Sequence, residues 1–210
     1  MRYITGMVVV AAVAAVTAIS TGQIGRPDKD FHHIYRPLVR PISKSFLKRY
    51  DVRSELRITA EQEEQMRRLE YEERAARRSL RGQRLSYEER VLRETEIEQQ
   101  YDLRQVLSQS QRARLFQLEL QWNGALSLLL YPEVARQIGL SQSQQQQIHV
   151  LVAREAEKIR YNERGIGRYE KKVFHQQARE RVNQEILALL TPQQRAQWQR
   201  TIGAPFQFVE

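Results

Sequence analysis

Residues 189–198 read LLTPQQRAQW, and residues 106–115 say nearly the same thing as VLSQSQRARL. Each places an apolar residue before a hydroxyl residue and a glutamine three positions after it. Four segments share this pattern: Ile58-Thr59-x-x-Gln62, Leu107-Ser108-x-x-Gln111, Leu140-Ser141-x-x-Gln144 and Leu190-Thr191-x-x-Gln194. Chemically each is a capping box. The Ser or Thr oxygen accepts a backbone N–H of the first helical turn, and the Gln reaches back to the N–H of the cap, so two donors orphaned at a helix start are satisfied. The apolar residue that usually staples such a start, four after the cap, is missing, because Glu63, Arg112, Gln145 and Arg195 stand there. Met66, Leu115, Ile148 and Trp198 come eight residues after the leading Ile or Leu instead, which puts the leading residue, the Gln and this side chain on one helix face.

Spacing turns four boxes into one statement. The boxes at 58 and 140 lie 82 residues apart, and those at 107 and 190 lie 83 apart. At an offset of 82, Gln65 also meets Gln147, Leu69 meets Leu151, Glu73 meets Glu155, Arg78 meets Arg160, and Tyr87 meets Tyr169. The chain therefore reads as an internal duplication. The expected fold is all-α, with elongated helical hairpins in two similar three-helix units joined by a short connecting helix. Helical spacing and a lack of Gly and Pro predict helices from 59 to 80, 87 to 106, 107 to 123, 142 to 163, 168 to 189 and 192 to 202, with coiled-coil-like packing. The expected boundaries are a first unit at 58–123, a connector at 124–139, a second unit at 140–203 and a tail at 204–210.

The N-terminal part is of another kind. In MRYITGMVVVAAVAAVTAIS, residues 1–20, Arg2 precedes an apolar run from Met7 to Ile19, and Ala18 and Ser20 suit a cleavage site. This reads as a signal peptide cleaved near Ser20, and hence as export to the periplasm or beyond; a membrane anchor formed by the same segment is the competing reading. Residues 21–57 hold three prolines and nine Lys or Arg against four Asp or Glu, and read as a basic, mostly irregular arm. The chain has no cysteine, which excludes disulfides, thiol catalysis and lipid attachment through Cys. Without the signal segment, the apolar share falls below the 41% of the whole chain, too little for a thick globule and suited to thin helical layers.

A Leu-Thr-x-x-Gln box written twice per helical unit, in a cysteine-free chain with an export signal, resembles the LTxxQ-motif family of periplasmic proteins, the Spy- and CpxP-like helical chaperones and stress modulators. The resemblance covers about 58–203 and leaves the arm aside. It implies an all-helical, ATP-independent protein that pairs into a cradle and holds unfolding proteins on a basic, partly apolar face; some relatives sense metals instead. This sequence departs in carrying four boxes and in having Ser at 108 and 141.

No catalytic site is expected, and no cofactor. The histidines are His32, His33, His149 and His175. His149 has Val152 and Ala153 where a helical metal site needs a ligand, and His175 has Glu170 and Arg179 at unsuitable spacing. Glu73 and Glu155 fall in apolar seams and should be ion-paired, with an Arg of a neighbouring helix as the expected partner. Arginines crowd residues 67–93, but Glu70, Glu72, Glu73, Glu88 and Glu89 interleave with them, so no nucleic-acid partner is expected. Tyr87, Tyr101, Trp122, Tyr161, Tyr169 and Trp198 read as core or rim. The expected partners are unfolded or envelope proteins, a second copy of the chain as a homodimer, and a membrane only through an uncleaved N-terminal segment. With so few apolar residues spread over six helices, Met66, Leu69, Leu115, Trp122, Ile148, Leu151 and Trp198 are expected to line an accessible client groove flanked by Arg78 and Arg160. A structural, envelope-associated protein or a metal-binding stress sensor are the alternatives. Mass spectrometry of the protein recovered from its native envelope is expected to find an N-terminus near Thr21; intact Met1 in a soluble cytoplasmic fraction would overturn the export reading.

Overall fold

The computed structural model describes Leu38, residues 46–163 and residues 165–209. Residues 1–20, read above as a signal peptide, most of the arm and His32-His33 lie outside the described residues. The protein is all-α, and no strand occurs among the described residues. Its helices are α1 (Tyr50–Glu55), α2 (Ala60–Arg81), α3 (Tyr87–Gln100), α4 (Gln109–Asn123), α5 (Ser127–Leu130), α6 (Pro132–Gln137), α7 (Gln142–Asn162), α8 (Arg168–Leu189) and α9 (Pro192–Ile202).

The described residues form two compact units, one of residues 46–115 with 208 and 209, the other of residues 116–163 and 165–207 with Leu38. The division falls inside α4, between Leu115 and Phe116, and not in the 124–139 stretch that the sequence marks as a connector. That stretch is packed into the C-terminal unit: a 3₁₀ turn at Gly124–Leu126 contacts α8, and α5 contacts α6 and α7. The buried Ser127 hydroxyl donates to the Leu120 carbonyl at 3.1 Å. Gly124 has φ +61°, and a Cβ there would meet the Asn183 amide at 2.8 Å, so only glycine lets the chain turn against α8.

The duplication begins earlier than the boxes suggest. Part of the segment read as irregular arm is ordered helix, a 3₁₀ turn at Phe46–Lys48 followed by α1. Helix α1 and helix α6 stand 82 residues apart and end alike. Ile58 N–H donates to Arg53 O at 3.1 Å and Arg57 N–H to Ser54 O at 3.0 Å; Leu140 N–H donates to Ala135 O and Gly139 N–H to Arg136 O, both at 3.0 Å. Both are Schellman stops, which need a left-handed residue. Gly139 supplies it at φ +74°, whereas Arg57 adopts φ +51°, the one positive-φ non-glycine among the described residues. Arginine in that role hid the stop from the sequence.

The second helices of the hairpins differ. Ser86 caps α3 and Gly167 precedes α8, an offset of 81 rather than 82, so Tyr87 is the first residue of its helix and Tyr169 the second. Helix α3 ends at Gln100 and not near Val106. Asp102 accepts from Arg104 N–H at 2.9 Å and restarts the chain as a 3₁₀ turn, Leu103–Val106, whereas α8 runs unbroken to Leu189. Packing follows this difference: α3 buries no residue, while α8 buries Ala178, Val182 and Ile186 against α7.

The seam carboxylates are buried and paired, but chiefly on their own helices. Glu73 Oε1 accepts from Arg77 Nε at 2.9 Å, and Arg77 also reaches Glu98 on α3 at 3.5 Å. The Glu73 hydrogen bond holds the Arg77 guanidinium above its ordinary pKa. Glu155 lies 2.6 Å from Lys158 Nζ and 3.4 Å from Arg154 Nε. Burial pushes the Glu155 carboxyl up, yet Lys158, Arg154 and Arg181 together outweigh it and hold the carboxyl below the usual range. A folded-state value below the unfolded one stabilises above the unfolded value, about 4.3, and that stabilisation is lost as pH falls through the lower folded value. Glu155→Gln is therefore expected to cost about 1–2 kcal/mol at pH 7, with the gap to wild type closing below about pH 4 in urea melts.

Candidate functional site

All four boxes form as helix starts. Thr59, Ser141 and Thr191 each accept from the N–H of the Gln three residues later at 3.2 Å, and Ser108 does so for Gln111 at the same distance. Each Gln Oε1 in turn accepts from the N–H of its cap, at 3.1 Å in Thr59, 2.8 Å in Ser108, 3.0 Å in Ser141 and 2.9 Å in Thr191.

Capping uses only half of each glutamine. In the N-terminal unit, Gln62 Nε2 donates to Gln111 Oε1 at 2.7 Å and Gln111 Nε2 donates back to Gln62 Oε1 at 2.9 Å. The remaining protons reach across to main chain, Gln62 to Val106 O at 3.1 Å and Gln111 to Leu56 O at 3.0 Å. The C-terminal unit repeats the arrangement. Gln144 and Gln194 exchange bonds of 2.8 and 3.0 Å, and donate to Leu189 O at 2.9 Å and Gly139 O at 2.8 Å. Every amide thus fills two acceptor and two donor places. The network also fixes which way each amide points, since a flip would set cap N–H against NH₂ and carbonyl against carbonyl.

The pairing explains a choice that capping alone leaves free. A capping box accepts Glu or Gln. Two facing carboxylates would repel and lack donors for the two carbonyls, so a paired box needs Gln. The boxes that pair with no other carry Glu: Ser86 N–H donates to Glu89 at 2.8 Å, and Gly167 N–H donates to Glu170 at 2.8 Å. The Ser86-x-x-Glu89 box was present in the sequence as a signal for the start of α3. Behind the paired amides, Leu107, Leu140 and Leu190 are buried, and Ile58 is half-buried. The arrangement is neutral and has no nucleophile; its chemistry is to lock one helix start to another.

The residues expected to line a client groove are mostly core. Met66, Leu115, Ile148, Leu151 and Trp198 are buried, whereas Leu69 and Trp122 are half-buried; Arg78 is exposed and Arg160 half-buried. The seam that looked uncovered is covered: the eighth-position side chains Met66, Leu115, Ile148 and Trp198 are all buried. The tyrosines depart the other way: Tyr71, Tyr87, Tyr161 and Tyr169 are 65–79% exposed, and Leu92 and Val150 stand beside them at 59% and 57%. Tyr71 and Val150 carried no signal that separated them from core positions.

His175 Nε2 lies 2.9 Å from Glu163 across the α7–α8 turn, a local pair rather than a ligand set, and His149 is exposed. Among the described residues, no three His, Asp or Glu side chains gather closely enough to hold a metal ion, and no helix is long and apolar enough to cross a membrane. No known family model, curated protein or solved structure matches the chain.

Replacing Gln194, which is nearly buried, with Ala is expected to cost about 2 kcal/mol in urea unfolding, because it strands Gln144 and the Gly139 carbonyl. A double-mutant cycle with Gln144→Ala should return a coupling of about 1 kcal/mol or more. The half-exposed Gln62–Gln111 pair should return less, since water replaces part of what is lost.

Proposed function

We propose that this chain is an exported helical protein-binding protein, an ATP-independent chaperone or envelope-stress adaptor of the Spy/CpxP kind. The observation that carries the reading is the set of large side chains left in solvent on arginine-rich helices: Tyr71, Tyr87, Tyr161, Tyr169, Leu92 and Val150. Scattered exposed apolar residues are ordinary in any protein, but aromatic ones repeated on the helices of both units suit contact with varied partners. Positive charge speeds encounter with acidic segments of an unfolding protein, and ring and aliphatic contact then holds them with no nucleotide needed. The locked helix starts keep this surface in place while it is loaded.

The Leu-Thr-x-x-Gln resemblance and the N-terminal apolar run support the family and the periplasmic location within this reading. A structural, envelope-associated role is the second reading, favoured by the burial of Met66, Leu115, Ile148, Leu151 and Trp198, which makes the boxed seams core rather than groove.

The expected result is slowed aggregation of a model client at near-stoichiometric ratios without nucleotide, weakened as salt rises from about 50 to 300 mM and the screening length shortens. Arg78→Glu combined with Arg160→Glu should weaken protection severalfold while the helical circular-dichroism signal is kept. No protection at any ratio by folded protein selects the structural reading.

A further inference from the structure

The start of α8 carries a surface that the fold does not account for. Tyr169, Val173 and Gln177 follow at intervals of four residues and so form one stripe along the helix. With Ile166, Glu170 and Phe174 they line a shallow, open and almost wholly apolar groove at the end of the α7–α8 hairpin. Tyr169 is 79% exposed and Tyr161, at the end of α7, is 73% exposed. Arg168 and Lys172, one turn apart and both exposed, run beside the stripe, with Lys171 half-exposed next to them.

The acids that could neutralise these cations are already engaged. Glu170 accepts the Gly167 N–H at 2.8 Å and Glu163 holds His175 at 2.9 Å, and the side chains of Arg168, Lys171 and Lys172 make no ion pair among the described residues. Arg168, Lys171 and Lys172 outnumber Glu163 and Glu170, so the hairpin end carries a small net positive charge next to rings that are apolar in the body and polar at the tip. The N-terminal unit also exposes apolar side chains at its own hairpin end, Tyr87 at 71% and Leu92 at 59%, but there Glu88 and Glu89 balance Arg84 and Arg90.

We propose that the α7–α8 hairpin end is a docking site for an anionic phospholipid surface. Tyrosine suits the interface between headgroups and acyl chains, where its ring is sheltered and its hydroxyl stays wet, and Lys or Arg beside it meets the headgroup phosphates. An acidic peptide would require a bounded slot with free main-chain or amide partners. The groove is open and apolar and offers no such slot. A lipid surface needs only shallow immersion of an exposed end. Tyr161 and Tyr169 also belong to the surface proposed for client contact, so the two readings share these rings and are told apart by their assays.

The test uses the full chain, whose lack of cysteine makes one introduced thiol unique. An environment-sensitive fluorophore is attached at Tyr169→Cys and, as a control, at Ser143→Cys, an exposed position at the other end of α7. Vesicles of phosphatidylcholine alone are compared with vesicles holding about 30% phosphatidylglycerol, where basic residues near the surface add attraction. The proposal expects a blue-shifted, severalfold brighter signal at 169 on the anionic vesicles only, and none at 143, even if the N-terminal segment tethers the chain. Arg168→Gln with Lys172→Gln should weaken the response about tenfold. It is overturned if position 169 stays in water on anionic vesicles, if 143 responds equally, if the charge variant responds as strongly, or if a denatured acidic client brightens 169 where vesicles do not. A parallel aggregation assay on the same samples separates these outcomes from failure of client capture.

Discussion

The reciprocal hydrogen bonds between two glutamine amides hold each unit in register. A helix start leaves its first N–H groups without partners, and a capping box satisfies two of them locally. Here the capping glutamine keeps one lone pair and two protons over. Those find a second glutamine in the same state and the main-chain carbonyl that precedes the other box, Val106 or Leu56 in one unit and Leu189 or Gly139 in the other. Two helix starts are thereby fixed to each other at a distance set by amide geometry. The apolar residues Leu107 and Met66 in one unit, and Leu140, Leu190, Ile148 and Trp198 in the other, are buried in a small core.

That arrangement relieves a shortage of apolar residues. A helix of mostly charged and polar residues gains little from burial, and α2 buries Met66, Glu73 and Leu80 alone. Fixing its start by directional bonds leaves less for packing to do. The same shortage shows where the lock is far away: α3, beyond the hairpin turn, buries nothing and breaks at Tyr101. The C-terminal unit has more to bury, because the 124–139 stretch brings Ala125, Leu126, Leu128 and Val134 against α7 and α8. Its second helix accordingly runs on to Leu189. Two copies of one plan have thus diverged in how much of their helix is covered.

Function follows from what the small cores leave outside. The seam glutamates are neutralised by cations on their own helices, so they organise the helix surface rather than a reaction. Among the side chains that face water are arginines, lysines and tyrosines, interleaved with Glu and Gln, and the cations and rings can meet partners by charge and hold them by ring contact. The proposed client surface and the proposed lipid-docking end draw on this one property and share Tyr161 and Tyr169.

The sequence by itself determined whatever depends on near neighbours in the chain. Thr59, Ser108, Ser141 and Thr191 mark helix starts because the bonds that make a cap span three residues, and the offsets of 82 and 83 exposed the duplication without coordinates. The ends of α2, α7, α8 and α9 and the all-α class follow from the same local rules. Tertiary structure alone decided which box meets which: 58 with 107 and 140 with 190, not the partners that the repeat offset joins. It decided that the Met66 and Ile148 seam is covered and that Tyr161 and Tyr169 are not, since a helical stripe states its own direction but never what lies opposite. It also decided that Arg57 stands where its counterpart is Gly139, because a left-handed residue is recognisable in sequence only when glycine supplies it. The preference for Gln over Glu in the four paired boxes was written in the chain throughout. Its reason is a second amide some 50 residues away, which only the folded chain brings within 3 Å.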